Sequence, residues 1–225
     1  TVIEAVQPLA IAPQIDTLQS QALNLFRSDT TRSTDTADAL LKRLGVFDTE
    51  ASAFLRGDST VQQNLLGRAG RNVTVEASQD NTLQKLTARW SPNDDGMFKR
   101  LTISKTAQGY TSNLETVPLV AASRLAGGII QSSLFAATDD ARIPDAIAVQ
   151  LAEIFSGDVD FHRDLRKGDR FAVTYETLEG DGEPMRAGRV LNAEFVNAGK
   201  THQAMWFQDP ASASSSKGAY YTLAG

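Results

Sequence analysis

The chain has 225 residues, of which 41% are hydrophobic and 22% are charged, with a net charge of −5 and no cysteine. This apolar content is enough to bury a sizeable core, which excludes a disordered chain, and the lack of thiols excludes disulfides, cysteine zinc sites and thiol nucleophiles. Nucleic acid is not an expected partner, because basic residues occur mostly singly or in pairs and only the tertiary fold would assemble them into a basic surface.

The first third of the chain predicts an extended lead-in followed by helices. Residues 1–13 carry two prolines and little charge. Apolar residues then recur at three- and four-residue spacing over 15–26, which predicts a helix. The polar cluster 28–36 favours turns and helix caps. Three short helices, each followed by a glycine that ends it, are predicted next: 37–44, 49–55 and 61–66.

From residue 71 the hydrophobic period changes from helical to alternating, and four runs up to residue 114 predict an antiparallel meander. The stretch 117–125 has no clear period, and Gly127-Gly128 marks a change of module. A helix is predicted after Pro144. Further strands are predicted at 170–178, 189–196, 202–207 and 220–222. The predicted fold class is α+β, with an N-terminal lead-in and helix (1–27), a helical module with a β-meander (28–122) and a second small α+β module with antiparallel strands (125–225).

A catalytic zinc site in a hydrolase needs three protein ligands and an open position for water. The chain has only two histidines, His162 and His202. Neither lies in a His-x-His, His-Glu-x-x-His or His-x-x-x-Asp pattern. A tertiary site built from both histidines and a carboxylate is the remaining metal hypothesis. Serine-nucleophile elbows and glycine-rich phosphate loops are also missing from the sequence. We therefore predict no catalytic residue and no metal site in this chain.

The densest polar stretch, 161–170, joins the helix after Pro144 to the following strand and contains His162, Arg163, Asp164 and Arg166. One interpretation is an ion-paired loop between a helix and a strand. The other is a partner surface on which arginines meet carboxylates. The first is favoured, because such loops are common and contribute little to recognition.

The same stretch carries a family resemblance. Residues 155–171, which read Phe-Ser-Gly-Asp-Val-Asp-Phe-His-Arg-Asp-Leu-Arg-Lys-Gly-Asp-Arg-Phe, together with 129–135 and 194–200, closely resemble the segment before the catalytic domain in Gram-negative M23-type (LytM/lysostaphin-like) peptidoglycan endopeptidases. This resemblance covers about 125–225. More weakly, 28–75 resembles a LysM-like or opacity-associated-protein-like module.

The resemblance implies a parent protein that is a zinc hydrolase cutting peptide cross-links in the cell wall. In that family the zinc ligands come from a His-x-x-x-Asp and a His-x-His in a later β-domain. Neither motif occurs here, so zinc is implied for the parent and not for this chain. Residues 28–122 are then expected to cover the active-site groove of the parent's own M23 domain, in cis or in trans. A carboxylate such as Glu50 or Asp58 is expected near that zinc.

The expected location is the periplasm of a Gram-negative cell. No run approaches the roughly 18–20 apolar residues needed to span a bilayer, and no leader sequence opens the chain. Because the chain begins at Thr1 rather than Met, we expect a processed or trimmed product. A membrane is implied only through a removed N-terminal anchor.

Two alternative functions remain open. LysM-like folds bind N-acetylglucosamine chains, so the chain is alternatively a peptidoglycan-binding module, although its LysM-like stretch offers only Phe47 and Phe54 for stacking on sugars. The other alternative is a scaffold that binds a second envelope protein. The residues predicted as regulatory or partner contacts are Glu50, Asp58, His162, Arg163, Asp164 and Arg166.

Overall fold

A computed structural model describes residues 24–208 and 218–222. Within these residues the chain forms ten strands in two antiparallel sheets and five helices, which confirms the predicted α+β class. The chain divides into two compact units, unit 1 up to Val117 and unit 2 from Pro118. No helix among the described residues is long and apolar enough to cross a membrane.

Unit 1 is a five-stranded sheet, sheet A, with three short helices inserted between its first two strands. The strands lie side by side in chain order, and the first four pair with one another in antiparallel fashion. The elements are β1 (Leu25–Thr30), α1 (Ala37–Arg43), α2 (Thr49–Gly57), α3 (Ser59–Asn64), β2 (Asn72–Ala77), β3 (Leu83–Trp90), β4 (Met97–Thr106) and β5 (Gly109–Pro118).

The three helices of unit 1 begin where a polar side chain satisfies an otherwise unpaired backbone N–H group. Thr36 accepts from the N–H of Ala39, Asp48 from that of Ala51, and Asp58 from that of Val61. Gly45 follows α1 at a φ of +66°, a left-handed conformation that favours glycine. The predicted helices at 37–44 and 49–55 are confirmed within two residues.

The core of unit 1 lies between one face of sheet A and the helices. Alternate residues of the strands point into it, so that Val73, Val75 and Leu86 are at most 1% exposed. Leu40 and Leu55 of the helices meet them there and are fully buried. The alternation of apolar and polar residues that predicted the meander therefore corresponds to the alternation of buried and exposed side chains in this sheet.

The N-terminal helix predicted at 15–26 is wrong at its C-terminal end. Leu25 and Phe26 belong to β1, which pairs with β2 from Leu25↔Ala77 to Thr30↔Asn72. The remainder of that prediction lies outside the described residues. Pairing with β2 overrides the helical spacing, and Arg27 stabilises β1 by donating to the carbonyl of Gly45 at 2.8 Å.

Unit 2 is a second five-stranded sheet, sheet B, with two helices after its first strand. Its strands lie in the order β10-β9-β8-β7-β6. The elements are β6 (Val120–Ile129), α4 (Leu134–Asp140), α5 (Asp145–Ile154), β7 (Arg170–Gly180), β8 (Glu183–Asn197), β9 (Lys200–Phe207) and β10 (Ala219–Thr222).

Gly127-Gly128, predicted as a change of module, lies instead inside β6. A Cβ atom at Gly127 would lie 2.7 Å from the carbonyl oxygen of Phe171, and one at Gly128 would lie 3.1 Å from that of Ala137. The two glycines therefore allow β7 and α4 to pack closely against β6. The region 117–125 lacks a clear period because β6 is an edge strand and most of its side chains are exposed.

The core of unit 2 centres on Phe195, which is fully buried in β8. Phe155 lies at a ring-centroid distance of 6.0 Å from it, and Phe161 makes an edge-to-face contact at 5.2 Å. Ile147 and Leu151 of α5 complete this cluster. The predicted helix after Pro144 and the strands at 170–178, 189–196, 202–207 and 220–222 are confirmed.

Candidate functional site

The α2 corner of unit 1, which comprises the turn before α2 and its first residues, is organised by the carboxylate of Asp48. It accepts from the N–H groups of Ala51 and Leu83 at 2.9 and 3.2 Å. The hydroxyl of Tyr110 lies 2.6 Å from Asp48 Oδ2 and 2.8 Å from the carbonyl oxygen of Leu83, so one hydrogen serves two acceptors. This network joins α2 to β3 and β5 and makes the corner rigid.

The network shifts the pKa values of Tyr110 and Asp48. Burial raises the pKa of the Tyr110 phenol, and the adjacent Asp48 carboxylate raises it further. Burial also acts to raise the pKa of Asp48, but the hydrogen bonds from Tyr110, Ala51 and Leu83 outweigh it and lower that pKa. Asp48 directly precedes the helix predicted at 49–55, whereas its partnership with a tyrosine 62 residues away leaves no signal in the sequence.

The two predicted carboxylates near this corner differ in how the fold uses them. Asp58 caps α3 and accepts from the Ser112 hydroxyl at 3.0 Å, so its oxygens are engaged internally. Glu50 is exposed in the first turn of α2 and makes no hydrogen bond or ion pair with any residue in 24–208 or 218–222. Phe47, three residues earlier, is 67% exposed. The corner thus presents a carboxylate and an aromatic ring to solvent on a rigid support.

In unit 2 the polar stretch 161–170 is a turn-rich loop between α5 and β7. His162 and Arg163 are exposed, and the backbone N–H of His162 donates to Asp160 Oδ1 at 2.9 Å. The carbonyl oxygen of Asp164 accepts from Asn197 at 2.9 Å. Arg163 lies 4.0 Å from Asp160, a loose and exposed ion pair. The loop is thus held by backbone contacts more than by ion pairs.

The anchor of this loop is Asp169, which the sequence prediction missed. It is 6% exposed and accepts from the N–H groups of Arg166 and Ala198 at 2.7 and 3.0 Å, and from the Asn197 side chain at 2.7 Å. Burial acts to raise the pKa of Asp169, but these hydrogen bonds outweigh it and lower that pKa. The carboxylate joins the loop to the β8–β9 turn.

The metal hypothesis finds no support in the geometry. His202 is buried in β9 and its Nδ1 lies 3.3 Å from Asp158 Oδ1, whereas His162 is exposed in the loop. Among the described residues no group of three or more histidines and carboxylates is arranged to hold a metal ion. Within the described part of the chain, the two histidines do not share a carboxylate that could complete a zinc site.

Of the six residues predicted as contacts, the structure places two in unit 1 and four in the loop of unit 2. Glu50 lies in the first turn of α2 and Asp58 lies between α2 and α3, and the other four are near neighbours in sequence. Their role as contacts stays a prediction. The residues that organise both places are Asp48, Tyr110, Asp169 and Asn197.

No protein-family model matches the chain. Over 127 residues, 56% of its length, the chain is 27% identical to the peptidoglycan DD-endopeptidase ShyC of Vibrio cholerae serotype O1, and the match covers 28% of that protein. The chain is thus related in sequence to a peptidoglycan endopeptidase while spanning less than a third of its length. The LysM-like identity of residues 28–75 stays a prediction.

Three solved structures align with most of the chain at low identity. A zinc-containing peptidase from Vibrio cholerae aligns with a TM-score of 0.43 and 16% identity, covering 88% of this chain and 57% of that one. Two crystal forms of Helicobacter pylori Csd3 align with TM-scores of 0.45 and 0.46 at 16% and 15% identity, each covering 87% of this chain and 50% of theirs. The chain spans about half of each of these structures.

Proposed function

We propose that the chain is a non-catalytic regulatory region of a peptidoglycan-hydrolysing metallopeptidase of the M23 type, acting in the periplasm. The observation that carries this proposal is the sequence match of 127 residues to a peptidoglycan DD-endopeptidase. The resemblance of 155–171 to the segment before M23 catalytic domains supports the same class. The partner is then an M23 catalytic domain, which would hold the zinc.

The proposed regulatory act is inhibition, in which the α2 corner of unit 1 covers the groove of the catalytic domain. Its support is chemical: Glu50 is an exposed carboxylate that pairs with none of the described residues, and carboxylate oxygen is a zinc ligand. The exposed ring of Phe47 supplies apolar contact area beside it. The Asp48–Tyr110 network holds both residues in place, which lowers the entropy lost on docking.

Glycan binding is less well supported by the surface of unit 1. Sugar recognition uses exposed aromatic rings, and between residues 28 and 122 the only exposed one is Phe47. Phe54 is half-buried at 5.9 Å from Tyr110, and Trp90, Phe98 and Tyr110 are at most 8% exposed. A stacking groove would need at least a second exposed ring.

The test is to titrate the chain into a separately produced M23-type catalytic domain while following muropeptide release from purified sacculi. We expect dose-dependent inhibition. Glu50→Gln should weaken it by roughly tenfold, the effect of losing one charged ligand contact. The matched control is Glu153→Gln on the exposed face of α5, which should inhibit like the wild type. Undiminished hydrolysis, with the chain sedimenting with sacculi, would instead establish a wall-binding module.

A further inference from the structure

Cationic residues lie beside Trp90 at the end of sheet A where β2 begins and β3 ends. The pairing Asn72↔Arg89 places Arg71 beside Trp90, and its guanidinium carbon lies 4.0 Å from the centroid of the indole. Lys99 pairs with Trp90 from the opposite side, across the β3–β4 ladder. Directly opposed residues of an antiparallel pair share a face of the sheet. Trp90 therefore lies between two cationic residues, Arg71 and Lys99, and Arg71 contacts its ring.

The Arg71 side of this group of cations is preorganised by one buried residue, Thr31, which is 3% exposed. Its N–H donates to the carbonyl of Arg71, and its hydroxyl accepts from the N–H of Arg71, both at 2.9 Å. The same hydroxyl donates to the carbonyl of Arg68 at 2.5 Å, and the Thr31 carbonyl accepts from Gly70 at 2.9 Å. The loop that carries Arg68 and Arg71 is thus clamped to the end of β1.

Within residues 24–208 and 218–222, Arg68 and Arg71 lack a carboxylate partner. Neither Arg68 nor Arg71 forms an ion pair with any residue that the structure describes, and the buried Nε of Arg71 has no hydrogen-bond partner. The pKa of Arg71 is lowered by burial and by the positive charge of Arg68. Lys99 donates to a neutral group, the hydroxyl of Thr116, at 2.5 Å. Like charges held together without a carboxylate repel unless an anion joins them.

Two nearby acidic residues are engaged with other groups. Glu115 lies 3.0 Å from Arg100, the residue after Lys99. Asp95, in the turn between β3 and β4, accepts from the N–H of Met97 at 3.0 Å. The positive charge of the group of cations is therefore not cancelled by these two carboxylates.

We propose that Arg68, Arg71 and Lys99, at the end of sheet A that carries Trp90, form a binding site for an oxyanion carried by a carboxylate or phosphate group of a ligand. The planar fork of arginine matches both groups, and lysine adds a point charge. Stacking on the indole fixes the position of the Arg71 guanidinium before the anion arrives, so little side-chain entropy is lost when the anion binds. The site does not depend on the proposed covering role of the α2 corner.

The competing explanation is that Arg71 only shields the indole from water. The two explanations differ in what Arg68 and Lys99 do. A purely shielding Arg71 would make those two side chains irrelevant to any ligand, whereas an oxyanion site requires their charge. Arg68 is exposed, so its replacement is not expected to disturb the fold.

The experiment follows the indole N–H signals of the full chain by NMR while sodium phosphate or sodium acetate replaces sodium chloride at constant ionic strength. The chain has two tryptophans, and Trp206 in unit 2 serves as an internal reference, assigned with Trp206→Phe. We expect the Trp90 signal to shift saturably with a midpoint on the order of millimolar, the range that two or three charge-assisted hydrogen bonds support. The Trp206 signal should stay in place.

Arg68→Gln and Lys99→Gln should each raise the midpoint by about tenfold. Lys85→Gln, which removes an exposed cation from the other end of β3, should leave it unchanged. Saturation by phosphate alone would identify phosphate ligands, and saturation by acetate would identify carboxylates; either supports the site. Absence of saturation with both anions would overturn it, and so would an equal effect of Lys85→Gln and Arg68→Gln. Because no peptidase is used, this result is independent of the inhibition assay.

Discussion

Both units attach an irregular segment to an antiparallel sheet through one carboxylate, but they do so with different partners. In unit 1, Asp48 begins a helix and binds the Tyr110 hydroxyl of β5. In unit 2, Asp169 ends a loop and binds Asn197 and two backbone N–H groups. The difference shows that one carboxylate can serve as a helix cap or as a loop anchor, according to which N–H groups lie unpaired around it.

The helices of the two units are also supported differently. Each helix of unit 1 has a side-chain cap, whereas α5 begins after Pro144 without one. Instead, Gln150 of α5 donates to the carbonyl of Gly188 and accepts from the N–H of Val190, both at 2.9 Å. These contacts lie where the register between β7 and β8 shifts. In unit 2 a helix side chain therefore replaces hydrogen bonds that the sheet lacks.

The largest loss of stability is expected from creating a cavity in the core of unit 2. Phe195→Ala should destabilise unit 2 by about 3–5 kcal/mol, because it removes a fully buried ring and its contacts with Phe155 and Phe161. Amide hydrogen exchange should show the loss of protection in β7–β9. The control, Phe47→Ala at an exposed position, should have little effect. Equal loss of protection in β2–β4 would contradict the division into two units.

The next largest loss of stability is expected from removing the Asp48 carboxylate of unit 1. Asp48→Ala should cost about 2–3 kcal/mol, because it removes a cap and leaves the Leu83 N–H and the Tyr110 hydroxyl with fewer partners. Asp58→Ala should cost about 1 kcal/mol, mainly the loss of a cap. Urea unfolding gives both values. A double-mutant cycle with Tyr110→Phe should show non-additivity, and simple additivity would refute the shared network.

The support from Gln150 in unit 2 should be worth about 1–2 kcal/mol. Gln150→Leu keeps the bulk of the side chain but leaves the Gly188 carbonyl and the Val190 N–H unpaired. Gln203→Leu is the matched control, because Gln203 is exposed and its side chain donates to the half-buried Glu194 at 2.8 Å rather than to a backbone group. Exchange of the Val190 amide should be faster in the first variant alone. Unchanged exchange there would show that the register shift needs no support from α5.

The smallest expected effect is a change in pH dependence of about 1 kcal/mol. The pKa values of Asp48 and Asp169 are lowered in the folded chain, so both carboxylates stabilise it above the unfolded pKa, near 3.9. That stability is lost as the pH falls below about 4 through the folded pKa values. Asp169→Asn should be less stable at pH 7 and lose less stability between pH 5 and pH 3, measured by urea unfolding. If the free energy of unfolding of this variant fell between pH 5 and pH 3 as steeply as that of the wild type, Asp169 would not be a source of the pH dependence.

Much of the fold could be predicted because its signals are local. The capping residues, the glycine after α1 and the alternating strands of both sheets are each specified by residues a few positions apart. The helix predicted at 15–26 failed at Leu25 and Phe26, because pairing with β2 about 50 residues away decides their conformation. Gly127-Gly128 was misassigned for the same reason: its meaning lies in the approach of Phe171 and Ala137.

The sequence by itself determined the α+β class, the caps, most strands and the resemblance around 155–171. Only the tertiary structure decided that Glu50 is exposed while Asp58 is engaged, that Asp169 anchors the polar loop, and that Arg71 lies over the Trp90 ring. A cap bonds to an N–H three residues away and so leaves a pattern in the chain. A contact across strands depends on the strand register and on how distant segments of the chain are brought together, and no short stretch of sequence encodes either.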